Sequence, residues 1–339
     1  MNIHILAATA SQLMAEGKGL LAMDESTPTC NRRFAELGIP QTEEKRRAYR
    51  ELIVTAPKLG DYISGAILYD ETIRQTKTDG TPFAKALEAV GIIPGIKVDE
   101  GAVELPGFPG EKVTEGLDGL GDRLKEYREM GARFAKWRAV ITIDEGIPTP
   151  GCISANAHTL ARYAALCQEA DIVPIVEPEV LMDGNHTLGQ CATVTENVLH
   201  VLFDHLYDLR VMPEGILLKP NMVLPAKDSP EQATVDEVAD ATVQTLLRSV
   251  PATVPGVAFL SGGQPAEAAS ARLSAMNARY KDRLPWAVTF SYSRAIQKPA
   301  LELWKGDDAN VDTAQRALVH RARCNSAARQ GEYSEAMEK

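Results

Sequence analysis

Eight short apolar runs recur along the chain at fairly even spacing, and each is followed by a segment with helical periodicity. Most of the runs are continuous rather than alternating, which is typical of parallel strands covered on both faces. They lie at 20–23, 65–69, 95–98, 134–140, 172–176, 216–218, 256–260 and 287–291. A strand followed by a helix, repeated eight times in 339 residues, predicts an α/β protein with the architecture of a (β/α)8 TIM barrel.

Helix signals between the runs support this prediction. The spacing predicts helices from Thr42, over Leu117–Met130 with a stop at Gly131, and over Thr193–Leu209. A doubly wound open sheet is the alternative, but no Gly-x-Gly-x-x-Gly turn follows the first run. The proline- and glycine-rich patches at 105–110 and 146–151 predict loops. We therefore expect one domain over residues 1–339, with a short polar C-terminal tail from about residue 331.

Charge and composition exclude several classes of partner. A net charge of −10 argues against nucleic acid and anionic membranes, which both require clustered cationic surface. The N-terminus lacks a basic segment followed by a long apolar stretch, so we expect no signal peptide, no membrane span and a cytoplasmic location. The five cysteines are widely separated and favour reduced thiols. The six histidines form none of the usual metal motifs, so we expect neither a catalytic metal nor another cofactor.

In a (β/α)8 barrel, catalytic groups lie at the C-terminal ends of the strands. Lys219 follows the sixth run, 216–218, and precedes Pro220, which favours an extended backbone at the lysine and removes the next ladder donor. A lysine desolvated among apolar neighbours is less strongly held in its charged form and can act as a nucleophile. The competing interpretation is a surface lysine that happens to end a strand.

Other strand ends carry residues that could assist such a nucleophile. Lys136 interrupts the fourth apolar run, and a charge there must be paired or used. Glu177 and Glu179 follow the fifth run and could be solvated, or could share a raised pKa suited to acid–base chemistry. Asp24 follows the first run and could be only a helix cap.

Anion-binding signals accompany these groups. Ser261-Gly262-Gly263 follows the seventh run and could be a plain turn, or could direct backbone N–H groups at a phosphate. Arg294 lies on the neighbouring strand in this interpretation, and Lys97 lies on the third. Lys219 as a nucleophile, Lys136 as a nearby cation and two cationic clusters together suggest Schiff-base chemistry on a phosphorylated carbonyl compound.

Nine segments match the signatures of one family, in that family's order. They are LAMDEST (21–27), GIKVDEG (95–101), GLDGLGDR (116–123), FAKWRAV (134–140), ARYAALCQ (161–168), IVPIVEPE (172–179), LLKPNMV (217–223), FLSGGQ (259–264) and WAVTFSYSRAIQ (286–297). With them the chain resembles the class I fructose-1,6-bisphosphate aldolases, the metal-free Schiff-base family, over essentially residues 5 to 333. The resemblance implies a homotetrameric TIM-barrel enzyme that reversibly splits fructose 1,6-bisphosphate into dihydroxyacetone phosphate and glyceraldehyde 3-phosphate.

The resemblance also implies roles for individual residues. Lys219 would form the iminium with the ketose C2 carbonyl, Glu177 would shuttle protons with Glu179 beside it, Asp24 would take the C4 hydroxyl proton, and Lys136 would support that site. The implied C1 phosphate ligands are Ser261, Gly262 and Arg294, joined in the substrate-binding set by Gly263, Ser291 and Ser26. The resemblance further implies that the C6 phosphate end or neighbouring hydroxyls are bound by Lys97, Arg138 and the pair Arg32-Arg33.

The chain departs from the family pattern at its end and in one loop. It stops at Glu338-Lys339 without the terminal tyrosine that assists proton exchange in animal members, and Tyr333 is no clear substitute, so another acid is expected to protonate the enamine. Ser293 stands where the family pattern has glycine. Alternative functions are a Schiff-base aldolase that prefers sedoheptulose 1,7-bisphosphate or fructose 1-phosphate, and a scaffold protein on the aldolase fold. A metal-dependent aldolase is disfavoured by the missing ligand motif.

Overall fold

Eight parallel strands close into a barrel in the computed structural model, which describes residues 1–339. Their order is β1-β10-β9-β8-β7-β6-β3-β2, and pairing of β2 with β1 closes the ring. The strands are β1 (Gly19–Ala22), β2 (Ile63–Leu68), β3 (Ile93–Lys97), β6 (Phe134–Ile141), β7 (Val173–Val180), β8 (Leu217–Leu218), β9 (Gly256–Phe259) and β10 (Ala287–Tyr292), with a separate antiparallel hairpin of β4 (Gly101–Glu104) and β5 (Lys112–Glu115). The predicted (β/α)8 architecture is confirmed.

Helices surround the barrel and connect successive strands. Those of ten residues or more are α1 (Ile3–Leu13), α2 (Thr27–Glu36), α3 (Glu43–Val54), α6 (Leu120–Glu129), α7 (Pro150–Glu169), α8 (Leu188–Asp208), α9 (Val235–Ser249), α10 (Ala266–Tyr280), α11 (Arg294–Trp304) and α12 (Val311–Gln330), and the shorter ones are α4 (Asp70–Arg74) and α5 (Phe83–Ala89). A helix that crosses a membrane would need a longer apolar stretch than any of these provides.

The floor of the barrel is a small, fully apolar core that α1 closes. Leu6 and Leu13 of α1 pack with inward-facing residues of the strands, among them Leu20, Phe134 and Val173. Gly95 faces the same region, and a Cβ there would come within 2.3 Å of the Phe134 ring. The aromatic ring therefore occupies the space that the missing side chain leaves.

A larger core lies between the strands and the outer helices, and alternate strand residues such as Ile96, Trp137 and Leu218 point into it. Because one face of each strand fills this layer and the other fills the barrel, both faces are apolar along most of the strand. This explains why the runs in the sequence are continuous. The five cysteines are all buried and unbridged.

Several elements differ from the sequence prediction, and the helix predicted over Leu117–Met130 is α6, which begins three residues later at Leu120. Strand β7 continues to Val180, so Glu177 and Glu179 lie within the strand and not after it. The hairpin of β4 and β5 was not predicted; the patch at 105–110 is the loop that joins its strands. Helix α8 begins at Leu188, five residues before the predicted start, behind a capping box formed by Thr187 and Gln190.

Candidate active site

The two-residue repeat of the strands brings the predicted catalytic groups together. Successive side chains of a strand point to opposite faces, so residues two apart share a face. On β6, Phe134 is in the floor of the barrel and Lys136 comes next on the inward face. On β7, Ile175 is in the floor and Glu177 is next, while Lys219 follows Leu217 of β8. The polar groups therefore form a layer directly above the apolar floor.

Lys136 is the centre of this layer. Its Nζ lies 2.8 Å from Oδ2 of Asp24, 3.6 Å from Oδ2 of Asp99 and 3.6 Å from Oε2 of Glu177. The Lys136 side chain is only 4% exposed. The three carboxylates compensate the charge of the buried ammonium, as a charge inside a strand requires.

The charges of Lys136 and Asp24 stabilise each other. Burial by itself would raise the pKa of Asp24, but the ammonium groups of Lys136 and Lys219 outweigh it and hold that pKa well below its usual range. Burial would likewise lower the pKa of Lys136, and Asp24, Asp99 and Glu177 instead raise it well above its usual range. Both groups are therefore ionised at neutral pH.

Lys219 contacts the same layer through Glu177. The Lys219 Nζ lies 3.1 Å from Oε1 of Glu177, and both side chains are about 95% buried, at 5% and 4% exposed. The other oxygen of Glu177, Oε2, is buried without a hydrogen bond and faces Lys136 at 3.6 Å. Lys219, Glu177, Lys136 and Asp24 thus form one continuous chain of amine, carboxylate, ammonium and carboxylate.

Glu179 is bound to a different partner. Its Oε2 accepts a hydrogen bond from Nε of Arg138 at 2.5 Å, and Glu179 is buried whereas the Arg138 side chain is 44% exposed. Lys97 Nζ lies 2.8 Å from Oδ1 of Asp99, and Oδ2 of Asp99 accepts a hydrogen bond from the Arg138 backbone N–H at 3.2 Å. Ser26, Lys97 and Arg138 line a cavity of about 640 Å³. Lys97 and Arg138 supply the cations at this end of the site, in a cavity wall that also carries four acidic side chains.

The glycine loop after β9 forms the other end. Gly262 and Gly263 both have positive φ angles, of 60° and 90°, which only glycine adopts readily. A Cβ on Gly263 would lie 3.4 Å from Nη2 of Arg294 and 3.7 Å from Nζ of Lys227. Arg294 is the first residue of α11 and not a strand residue as predicted, because β10 ends at Tyr292. Two cations therefore converge over the loop.

Two serines predicted to bind substrate lie near the same strand ends. Ser261 and Ser291 are both buried, at 7% and 1% exposed. The Ser291 hydroxyl has no hydrogen-bond partner. A buried hydroxyl without a partner costs free energy, which a substrate oxygen could recover.

Arg32 and Arg33 do not act as a pair at the Lys97 end, contrary to the sequence-based grouping. Arg33 lines a groove of about 680 Å³ with Gly263 and Arg294, so it belongs to the opposite end. Arg32 is exposed and lines neither cavity. Adjacent residues on a helix point about 100° apart, and α2 therefore directs only one of the two arginines into the groove.

Glu25 holds several residues in place at the end of the site that contains Arg33 and the glycine loop. The sequence analysis did not predict this role. Its Oε1 accepts hydrogen bonds from Arg33 at 2.5 Å, Ser293 at 2.7 Å and Gln297 at 2.8 Å. Its Oε2 lies 2.7 Å from Nη1 of Arg50. Burial would raise the pKa of Glu25, but Arg50 and Arg33 lower it to about 2. The only signal in the sequence was its position next to Asp24.

Two further residues escaped the predicted set. Asp99 bridges Lys97 and Lys136, although only its place near the end of the third run suggested a role. Lys227 lies in the segment after β8 and pairs with Asp183 at 2.7 Å, where both side chains are largely exposed. Nothing in its local sequence marks it, because its approach to Gly263 depends on how the loops after β7, β8 and β9 meet.

This arrangement supports covalent carbonyl chemistry. An amine and a carboxylate in contact can exchange a proton during addition to a carbonyl. Asp24, at the end of the same chain of charges, is ionised and can accept a second proton. Cations at both ends suit a substrate with phosphate groups at both ends.

Comparison with known proteins identifies the same family that the sequence motifs resemble. The family model "Glycolytic: Fructose-bisphosphate aldolase class-I" matches residues 5–339. A "Probable fructose-bisphosphate aldolase class 1" from Xanthomonas campestris pv. campestris is 56% identical over 98% of this chain and 99% of its own length. "Fructose-bisphosphate aldolase 4, cytosolic" from Arabidopsis thaliana is 50% identical over 98% of this chain and 84% of its own length.

A solved structure agrees in fold as well as in sequence. The fructose-bisphosphate aldolase of Plasmodium falciparum, crystallised with TRAP and a small-molecule inhibitor, superposes with a TM-score of 0.96 at 48% identity. The match covers 98% of this chain and 96% of that one. The chain therefore belongs to the class I fructose-bisphosphate aldolase family, whose members are lyases that work through a Schiff base.

Proposed function

We propose that Lys219 forms the Schiff base through which this chain reversibly cleaves fructose 1,6-bisphosphate to dihydroxyacetone phosphate and glyceraldehyde 3-phosphate. The observation that supports this role best is the 3.1 Å contact between Lys219 Nζ and Glu177 Oε1 in a buried layer of charges. Lys97, at the end of β3, and Lys136, within β6, lie in the same region, but Lys136 is surrounded by three carboxylates and Lys97 is bound to Asp99. Lys219 has a single carboxylate partner, which can serve as its proton acceptor.

The first half of the reaction builds the iminium. Lys219 Nζ, once it has given a proton to Glu177, attacks the C2 carbonyl carbon and forms a carbinolamine. Glu177 returns a proton to the departing hydroxyl, so that water leaves and a C=N⁺ bond forms. Glu179 lies two residues further along the same face of β7, where it forms an ion pair with Arg138. It takes no part in the proton transfer.

The second half breaks the carbon–carbon bond. Asp24 accepts the proton of the C4 hydroxyl, the C3–C4 electron pair moves into the iminium to give an enamine, and the aldehyde product leaves. Lys136 is 2.8 Å from Asp24 and keeps it ionised and ready to accept this proton. Protonation of the enamine at C3 and hydrolysis then release dihydroxyacetone phosphate.

Tyr333 is not expected to protonate the enamine. Its hydroxyl donates a hydrogen bond to Oε1 of Glu338 at 2.8 Å, and its backbone N–H lies 3.2 Å from Oγ of Ser274 on α10. It is therefore held against the outer helices. Unchanged turnover in a Tyr333→Phe variant would support a different acid, such as the substrate phosphate or Glu177 through water, and near-total loss of turnover would overturn this view.

The two cationic ends divide the phosphates between them. The C1 phosphate is assigned to Ser261, Gly262, Gly263, Ser291 and Arg294, with Arg33 and Lys227 adding positive charge beside them. The C6 phosphate end is assigned to Ser26, Lys97 and Arg138. Fructose 1-phosphate fills only the first end, so the ratio of activities on the two ketoses reports how much the second contributes.

The family relationship supports a wider set of expectations. We infer that residues 1–339 form one aldolase domain with a short tail from about residue 331, that four copies assemble into a homotetramer, and that the protein acts in the cytoplasm, as the word "cytosolic" states for the relative from Arabidopsis thaliana. Sedimentation should then give four times the 36.8 kDa mass of one chain.

Borohydride trapping tests the nucleophile directly. The protein is incubated with dihydroxyacetone phosphate and EDTA, reduced, digested and mapped by mass spectrometry. We expect one adduct, on the peptide that contains Lys219, with activity lost in proportion to labelling. The peptides that contain Lys97 and Lys136 serve as internal controls, since both lysines contact Asp99 in the same part of the site.

Three other outcomes would contradict the proposed nucleophile, the mechanism or the activity. An adduct on Lys136 or Lys97 would move the nucleophile and overturn the assignment. Cleavage of fructose 1,6-bisphosphate without any adduct would overturn the Schiff-base mechanism for this chain. Absence of both adduct and cleavage would favour a scaffold role.

A further inference from the structure

The end of the chain folds back along α12 and brings three metal-binding side chains together. His320 and Cys324 lie one helical turn apart on the same face of α12, and Glu338 comes from the tail. Cys324 Sγ is 3.7 Å from His320 Nε2, and His320 Nε2 is 3.6 Å from Glu338 Oε2. The three donor atoms all lie within 4.8 Å of one another.

Two of these three separations are close to those of a tetrahedral zinc site. With Zn–N near 2.0 Å and Zn–S near 2.3 Å, neighbouring donors of such a site lie about 3.3 to 3.6 Å apart. The structure therefore needs movements of only a few tenths of an ångström at the two measured pairs. A mixed set of imidazole, thiolate and carboxylate is also one that zinc accepts.

Neighbouring groups hold Glu338 in the required orientation. Its Oε1 accepts hydrogen bonds from the Tyr333 hydroxyl at 2.8 Å and from Nη1 of Arg321. This leaves Oε2 directed at His320. Carboxylates that bind metals are commonly hydrogen-bonded in this way through their other oxygen.

Cys324 is placed as a ligand and not as a surface thiol. It is fully buried, at 0% exposed, and its Sγ lies 3.9 Å from the Met337 carbonyl oxygen. A thiol binds such a cation as the thiolate, so binding releases its proton. His320 is about one third exposed, which gives a cation a route to the site.

We propose that His320, Cys324 and Glu338 bind one thiophilic divalent cation of the zinc type, with water completing four ligands. The cation fastens the tail, residues 331–339, to α12. None of the three ligands contacts the layer of charges around Lys136, so this inference does not depend on the proposed aldol mechanism. A chelator is expected to free the tail and leave iminium formation at Lys219 intact.

Sequence motifs do not reveal this site because its third ligand is distant. His320 and Cys324 are four apart, but Glu338 lies fourteen residues beyond Cys324, past the end of the helix. Only the turn at Gly331, where φ is +79°, returns the tail to the helix face.

Cobalt(II) titration of the full-length protein, prepared metal-free, tests the proposal. We expect one Co²⁺ per chain, with the near-ultraviolet charge-transfer band that marks a cobalt–thiolate bond, and displacement by Zn²⁺. Cys324→Ser should abolish the band, and His320→Gln should lower the affinity about tenfold or more. Tyr333→Phe, which removes one anchor of Glu338, should lower the affinity about tenfold with the band retained.

Two control variants separate this site from others. Cys152→Ser removes another buried thiol and should keep the band. His205→Gln disrupts the exposed contact of His158 and His205, whose rings lie 5.7 Å apart, and should not change the stoichiometry of thiolate-bound cobalt.

The proposal is overturned if Co²⁺ binds without a thiolate band, if the band persists in Cys324→Ser, or if Cys152→Ser removes it. His320→Gln provides the test on an accessible side chain should Cys324→Ser fail to fold, and an unchanged affinity in that variant would also overturn the site.

Discussion

Replacing Glu25 with Gln should destabilise the protein by about 3 kcal/mol at neutral pH. The Glu25 side chain is 4% exposed and is bound by Arg33 and Arg50. The two arginines, opposing the effect of burial, lower its pKa from 4.5 to about 2. A difference of about 2.5 pH units corresponds to about 3 kcal/mol of stability. The amide leaves Arg50 buried without its counter-ion, for which costs of about 3–5 kcal/mol are typical.

The same pKa fixes how this contribution depends on pH. A carboxyl group whose pKa is lower in the folded state stabilises the protein fully above the unfolded value of 4.5 and loses that effect as pH falls toward about 2. From pH 7 to pH 5 the difference between wild type and Glu25→Gln should therefore be constant. By pH 3.5, one unit below the unfolded value, the difference should have decreased by about 1.4 kcal/mol.

Urea unfolding followed by tryptophan fluorescence at one protein concentration measures both quantities. Glu126→Gln is the matched control, since Glu126 pairs with Arg74 at 2.6 Å while both side chains are more than 40% exposed, and we expect a much smaller cost. The reasoning fails if Glu25→Gln is no more destabilising than this control, or if its cost does not decrease between pH 5 and pH 3.5.

Three further changes probe the candidate site. Lys227→Met removes a cation beside Gly263 and should raise KM about tenfold for both fructose 1,6-bisphosphate and fructose 1-phosphate. Lys281→Met, outside both cavities, should leave KM unchanged. Equal KM values for the two variants would exclude Lys227 from the C1 phosphate end. Arg138→Met should lower kcat/KM about 10- to 100-fold for the bisphosphate and much less for fructose 1-phosphate, and a loss shared by both ketoses would contradict its place at the C6 end. Lys136→Met should lower kcat about 10²- to 10⁴-fold, because Asp24 loses the ammonium that keeps it ionised, and a kcat near that of wild type would remove Lys136 from the mechanism.

The barrel could be predicted from the sequence because its signal is local and repeated. Each apolar run contains both its inward and outward residues, so eight runs define eight strands without knowledge of their neighbours. The boundary of β7 could not be set in the same way. Glu177 and Glu179 ended the apolar run and suggested a solvated strand end, yet their strand pairs with β6 as far as Val180, and Lys219 and Arg138 compensate their charges.

The contacts of Glu25 could not be predicted from local sequence patterns. Its partners Arg33, Arg50, Ser293 and Gln297 lie 8, 25, 268 and 272 residues away in the sequence. No window of sequence contains such a group, and only closure of the barrel, which pairs β1 with β10, brings α11 beside the segment after β1. The position of Arg33 has the same origin, since residues of α11 and of the loop after β9 line the groove that contains it. It lies with Gly263 and Arg294 and not in the cavity with Lys97.

Charge balance across the active-site layer explains how one set of residues can serve every step of the proposed reaction. The layer contains as many cations as carboxylates: Lys97, Lys136, Arg138 and Lys219 against Asp24, Asp99, Glu177 and Glu179. Buried ion pairs add little to stability, because desolvation offsets their attraction, so the layer is better understood as a fixed electrostatic environment. The iminium nitrogen carries the same charge as the Lys219 ammonium at the same position, and Glu177 stabilises both. When the carbon–carbon bond breaks, the iminium becomes a neutral enamine while Asp24 takes up a proton, so one positive and one negative charge disappear together. The reaction therefore proceeds without leaving an uncompensated charge in the buried layer.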